Sequence, residues 1–112
     1  MKRPDVVAEL VLTGTQSVVG VKIQGDNYEI NVLLSADDIG RLNREELPVV
    51  PDEHAVTAGT CFNAPTHWSR CDGNVMAIVV GQDDVTWDFG VWMPVDTFTE
   101  IKRLILALRP SL

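Results

Sequence analysis

Basic residues are nearly missing from half of this chain. From Glu45 to Ile101 there are ten acidic side chains and one basic one, Arg70, so that span carries −9 within a total of −7. The remainder is slightly basic. An acidic surface repels nucleic acid and anionic lipid, so neither is expected as a partner. It suits a basic protein partner, or simply keeps the chain soluble. Cysteine is scarce as well. Two thiols are too few for a disulfide scaffold and are expected to be free. No apolar run approaches the ~20 residues needed to cross a bilayer; Val75 to Val80 falls far short. The opening Met1-Lys2-Arg3-Pro4-Asp5 lacks the apolar region and small-residue cleavage site of a signal peptide. A cytoplasmic location is therefore expected. Phosphate-binding glycine loops are absent too, since Gly14, Gly20 and Gly25 stand singly with no helix after them. There are no repeats and no low-complexity tracts.

What remains is enough chain, at 112 residues and 46% hydrophobic, for one packed domain spanning residues 1–112. Val75 to Val80 is apolar on both faces and rich in β-branched residues, which predicts a strand covered on both sides. Gly81-Gln82-Asp83-Asp84 supplies turn chemistry. A strand from Val85 to Trp92 follows, with Val85, Trp87, Phe89, Val91 and Met93 on one face and Trp92 on the other. Pro94 ends it. Phe98, Ile101, Leu104, Ile105 and Leu108 then recur at helical spacing over Asp96 to Leu108. Thr97 with Glu100 forms a capping box, or Asp96 caps. Lys102, Arg103 and Arg109 lie toward the end, as the helix dipole prefers, and Pro110 stops the helix. Its apolar stripe is expected to pack on the Trp87 and Phe89 face.

Earlier in the chain, Val6 to Thr13, Ser17 to Gln24 and Tyr28 to Leu34 alternate as three strands. Their joints, Gly14-Thr15-Gln16 and Gly25-Asp26-Asn27, are short enough to require an antiparallel meander. The inner face holds Val6, Ala8, Leu10, Leu12, Val19, Val21, Ile23, Tyr28, Ile30, Val32 and Leu34. Ser35 as N-cap and Asp38 three residues on open a helix running to about Glu46, with Ile39, Leu42 and Leu47 inward and Pro48 and Pro51 closing it. From Val49 to Gly73 the pattern is poor. Ala55 to Cys61 reads as a short strand and Asn63-Ala64-Pro65-Thr66 as a turn. The expected class is α+β: a largely antiparallel sheet of five or six strands in the order βββαβ-ββα, with a C-terminal helix on one face.

Chemistry is thinly signposted. His54, Cys61, His67 and Cys71 are all competent zinc ligands, but their spacing contains no Cys-x-x-Cys knuckle, so no metal or other cofactor is expected. Cys61 with His54 or His67 matches a nucleophile and base, with Asn63 or Asp72 to orient the imidazole. Nothing after Cys61 predicts a helix N-terminus to lower its pKa. Asp83, Asp84 and Asp88 sit near one another, where ordinary turn chemistry competes with acid–base work or cation binding. Trp68, placed in the loop, and Trp92 are candidate contact residues, because exposed tryptophans mark binding surfaces. The competing reading has the loop bury Trp92 against Trp68. Val7, Val11, Val18 and Leu33 share the outer face of the meander; with Trp92 they make a candidate homodimer interface. The expectation is a small, non-enzymatic protein acting through protein–protein contacts, as a homodimer or against a basic partner. The alternative is an enzyme or zinc protein built on His54, Cys61, His67 and Cys71.

Overall fold

The computed structural model describes residues 1–108. Seven strands form one antiparallel sheet in chain order. They are β1 (Asp5–Thr13), β2 (Gln16–Gln24), β3 (Glu29–Leu34), β4 (Val56–Cys61), β5 (Ala64–Arg70), β6 (Val75–Val80) and β7 (Phe89–Pro94). Helix α1 (Ala36–Leu42) joins β3 to β4, and α2 (Asp96–Leu108) follows β7. Arg109 and Pro110, expected to close α2, lie outside the described residues.

The α+β class and the antiparallel first meander agree with expectation, but Leu10 and Leu12, expected on its inner face, are exposed. The sheet has seven strands rather than five or six, because the stretch expected to be irregular is largely the β4–β5 hairpin. Its turn is Phe62-Asn63, both at positive φ (51° and 64°), as a tight two-residue hairpin requires. The strand expected at Ala55 to Cys61 is β4, whereas β5, whose start at Ala64 to Thr66 reads as a turn, is hidden because it is covered on both faces. Thr66 and Trp68 face the core while His67 and Ser69 lie under loops, all four buried, so its polar and apolar residues do not alternate with solvent.

One face of the sheet is the core. Val19, Val21 and Ile23 of β2, Ile30, Val32 and Leu34 of β3, Trp68 of β5 and Met76, Ile78 and Val80 of β6 pack there with Phe98, Ile101 and Ile105 of α2. Each large side chain so buried contributes ~1.5–3 kcal/mol. β6 is covered on both sides as expected, with Ala77 and Val79 buried on its other face.

The C-terminal helix packs elsewhere than on Trp87 and Phe89. It lies against β1, and its Phe98 ring meets Trp68 at 6.4 Å. Trp87 and Phe89 are about two-fifths exposed. The cause is the β6–β7 connection, which runs from Gly81 to Asp88 instead of turning within four residues. Phe89 thus only begins the strand, and the inward positions left to fill are Val91 and Met93. The helix also starts two residues earlier than a Thr97 cap would place it, and one earlier than an Asp96 cap would. Thr97 is fully buried and its hydroxyl has no partner among the described residues, and Glu100 pairs with Arg103 instead of reaching back.

Helix α1 has the expected capping box, with Ser35 Oγ accepting from Asp38 N–H at 3.1 Å and Asp38 accepting from Ser35 N–H at 2.8 Å. It ends at Leu42, not near Glu46. Beyond it Lys102 of α2 donates to the Arg44 and Glu45 carbonyls at 2.6 and 3.5 Å while standing 4.5 Å over the Phe98 ring. Leu47 is delivered to the core, and Pro48 and Val50 bond to Arg70 at the end of β5.

Candidate interaction surface

The outer face of β5, β6 and β7 is where two loops meet. Residues 81–88 fold back because Gly81 adopts φ +154°; a Cβ there would lie 2.5 Å from the Trp87 Cα, so only glycine fits. Asp83 then closes a local turn by accepting from the Val85 and Thr86 N–H groups at 2.8 and 2.6 Å. Those bonds hold its carboxyl below the usual range. Asp84 reaches to the other loop, accepting from Ala55 N–H at 2.9 Å with His54 Nδ1 at 3.4 Å. The Ala55 N–H is the larger cause of its lowered pKa, and His54 adds to it. Asp84 therefore acts as a clasp, and Asp83 as turn chemistry. Asp88 bonds through its backbone to Val80.

His67 lies beneath these loops. Its Nε2–H donates to the Gly81 carbonyl at 2.9 Å, and Nδ1 lies 2.8 Å from Thr57 Oγ1. A hydroxyl, an imidazole and an orienting carbonyl in series have the connectivity of an activated nucleophile. Both ring nitrogens are thus engaged, and the imidazole is satisfied as a structural group.

The four candidate zinc ligands are not brought together. His54 is exposed beside Asp84. Cys61 is buried in the core, where burial pushes its thiol pKa up. His67 is on the opposite face of the sheet, and Cys71 is exposed beyond β5. Among the described residues no group of three or more His, Cys, Asp or Glu is arranged to hold a metal. Cys61 and His67, on opposite faces, cannot act as nucleophile and base.

The tryptophans divide differently from expectation. Trp68 is a core residue, fully buried; it neither offers a contact nor covers Trp92. Trp92 does lie outward, over Gly90, where a Cβ would come 3.1 Å from its ring. Its partner is Trp87, at 5.9 Å and 64° between planes, an edge-to-face pair. The two indoles are 40% and 41% exposed. Strand parity alone places Trp87 in the core. The run of turn formers from Gly81 with a further acid at Asp88 was the available sign of a longer loop.

On the meander, Val11 and Leu33 close over Gly20, within 3.1 and 3.8 Å of where its Cβ would stand, and Val18 is directly across from Val11. Val7 is set apart from them by Glu9, whose partner is Gly20. Trp92, on the far strand in sheet order, borders a cavity shared with residues 1–5 and 24–28 and is not part of this cluster. A groove of about 330 Å³ lies between the helices, lined by Ile39, Leu42, Lys102, Ile105 and Leu106 among others. Among the described residues no helix is long and apolar enough to cross a membrane. Known protein families, curated proteins and solved structures were all compared with the chain, and none matches it.

Proposed function

We propose that this protein is non-enzymatic and works by binding another protein, with Trp87 and Trp92 at the centre of the contact. The observation that carries this is the edge-to-face indole pair, held by Gly81 and Gly90 on the outer face of the end strand and left two-fifths exposed. Tryptophan is the residue most enriched among energetically dominant interface positions. Asp83 and Asp88, both exposed and in the same β6–β7 connection as Trp87, favour a basic partner over nucleic acid or anionic lipid. The proposal puts the protein in the cytoplasm, a setting consistent with two unpaired thiols. The alternative enzyme or zinc protein draws no support from His54, Cys61, His67 and Cys71 as they are placed.

Cross-linking and mass spectrometry should recover a partner with the unmodified protein and lose it with Trp92→Ala or Trp87→Ala, each checked for folding by circular dichroism. A dominant interface tryptophan is worth ~2 kcal/mol or more, a loss of about 30-fold in affinity. An unchanged partner profile in both variants would sink the proposal.

One observation favours a second reading, a two-fold homodimer through the meander: Val11, Val18 and Leu33 form a contiguous apolar patch around Gly20. Sedimentation equilibrium at micromolar concentration decides it. A dimer mass that falls to monomer on Val18→Asp supports it, and a monomer mass for the unmodified chain rules it out.

A further inference from the structure

Resting on the proposal of a partner at Trp87 and Trp92, we infer that this partner binds as an extended basic segment that adds a strand to the free edge of β7. The phase of the sheet's hydrogen bonds carries the inference. Val95 N–H donates to the Asn74 carbonyl at 2.8 Å. In an antiparallel pair bonded and non-bonded positions alternate. Met93, Val91 and Phe89 therefore aim their backbone groups at β6, and Gly90, Trp92 and Pro94 aim theirs away. The far side of β6 agrees: Cys71 N–H donates to the Val75 carbonyl at 2.8 Å, so Val75, Ala77 and Val79 serve β5 while Met76, Ile78 and Val80 serve β7.

β7 ends the sheet and is paired with β6, so by this phase the Gly90 and Trp92 N–H groups face away from the sheet. Pro94 has no N–H to leave unpaired. The other end strand, β1, has α2 packed against it and carries no aromatic residue. An unpaired edge of this kind is the template for strand addition, in which main-chain bonds supply affinity and side-chain contacts select the ligand.

Side chains along this edge supply the selection. Trp92 lies on the outer face at the edge itself, where a lysine or arginine of an incoming strand would sit over its indole. Asp83 and Asp88 are exposed at the Phe89 end of β7. At the other end Arg3 faces Asp96 at 3.7 Å and Lys2 faces Asp26 at 3.5 Å, so the nearby cations are already paired. The cations of the ligand belong at the Phe89 end.

The test uses the isotope-labelled whole chain and three synthetic peptides: one alternating lysine with valine, the same peptide N-methylated at alternate backbone nitrogens, and one with glutamate for lysine. Titration is followed by amide shifts and hydrogen exchange. The lysine peptide should bind saturably and slow exchange at Gly90 and Trp92 by about tenfold or more, and both other peptides should bind about tenfold more weakly or worse. Trp92→Ala, confirmed folded, should weaken the lysine peptide similarly. Equal binding of the N-methylated peptide, protection at other strands, or no binding at millimolar peptide overturns strand addition. If the peptide fails while Trp92→Ala still loses its cross-linked partner, only the mode is wrong. If neither depends on Trp92, the interaction surface falls too.

Discussion

The Trp68 indole Nε1–H donates to the Ala58 carbonyl at 2.9 Å, tying the largest core side chain to the bulge in β4. The ladder between β4 and β5 slips between Thr57 and Thr60, which frees backbone groups that would be costly to bury unpaired. Those of Thr57, Ala58 and Gly59 find side chains. Ala58 O also accepts from Thr66 Oγ1, Thr57 O accepts from Arg41 Nε at 3.0 Å, and the Gly59 backbone faces Asp38 and helps to lower its pKa. The bulge and α1 are thus one unit.

Because Trp68 and Thr66 share an acceptor, their substitutions should not add. We expect Trp68→Phe to cost ~1–3 kcal/mol, and the double variant with Thr66→Val to deviate from the sum by ~0.5 kcal/mol or more. Urea midpoints measure this. Strict additivity would mean that the shared carbonyl is immaterial.

Asp38 titration should be visible in acid stability. Burial opposes its ionisation, but hydrogen bonds from the Ser35 and Gly59 backbone and the Ser35 hydroxyl, with Arg41 nearby, outweigh that and lower its pKa. A lowered folded-state pKa means the ionised form stabilises the fold. The contribution is complete above the unfolded value of about 3.9 and is lost as pH falls through the folded value. Asp38→Asn should cost about 1 kcal/mol at pH 7 and much less near pH 2. A difference that does not shrink with acid would show that the carboxylate is not the cause.

Two glycines at positive φ should respond unequally to alanine. Gly59 sits at φ +82°, where an added Cβ would stand 2.6 Å from Leu34 Cδ2 and 2.7 Å from the Leu33 carbonyl, whereas Gly14 at +63° has open space. Gly14→Ala should cost only the left-handed strain, ~1–2 kcal/mol. Gly59→Ala adds a clash with backbone and should cost clearly more. Equal melting-temperature shifts would contradict this.

Thr97→Val should be neutral or stabilising by up to ~1–2 kcal/mol. The hydroxyl is fully buried and has no partner among the described residues, so replacing it with an isosteric methyl removes a desolvation cost and no bond. A denaturant midpoint lowered beyond error would reveal a partner for that hydroxyl.

Positions set by neighbours in the chain could be read in advance, and positions set by distant segments could not. The first meander, β6, the Ser35–Asp38 capping box and most of α2 were legible because their signals are local: alternation, a cap three residues from its acceptor, and a helical stripe. The candidate surface was legible at Trp92, by parity. Trp87 was not, since its exposure depends on where a loop ends. Trp68 looked like a loop residue because the bonds that seat it come from Ala58 and Thr66 across a bulge.

Sequence alone determined the α+β class, the covered strand at Val75–Val80 and the acidity of the second half, all of which follow from residue type and near-neighbour spacing. Tertiary structure decided that β5 is a strand, that α2 lies on β1 instead of Trp87 and Phe89, and that His67 and Cys61 face opposite ways. These depend on register and on which loop covers which face. A one-residue change in strand register exchanges the two faces of a strand, and no local pattern reports that choice when both faces are buried.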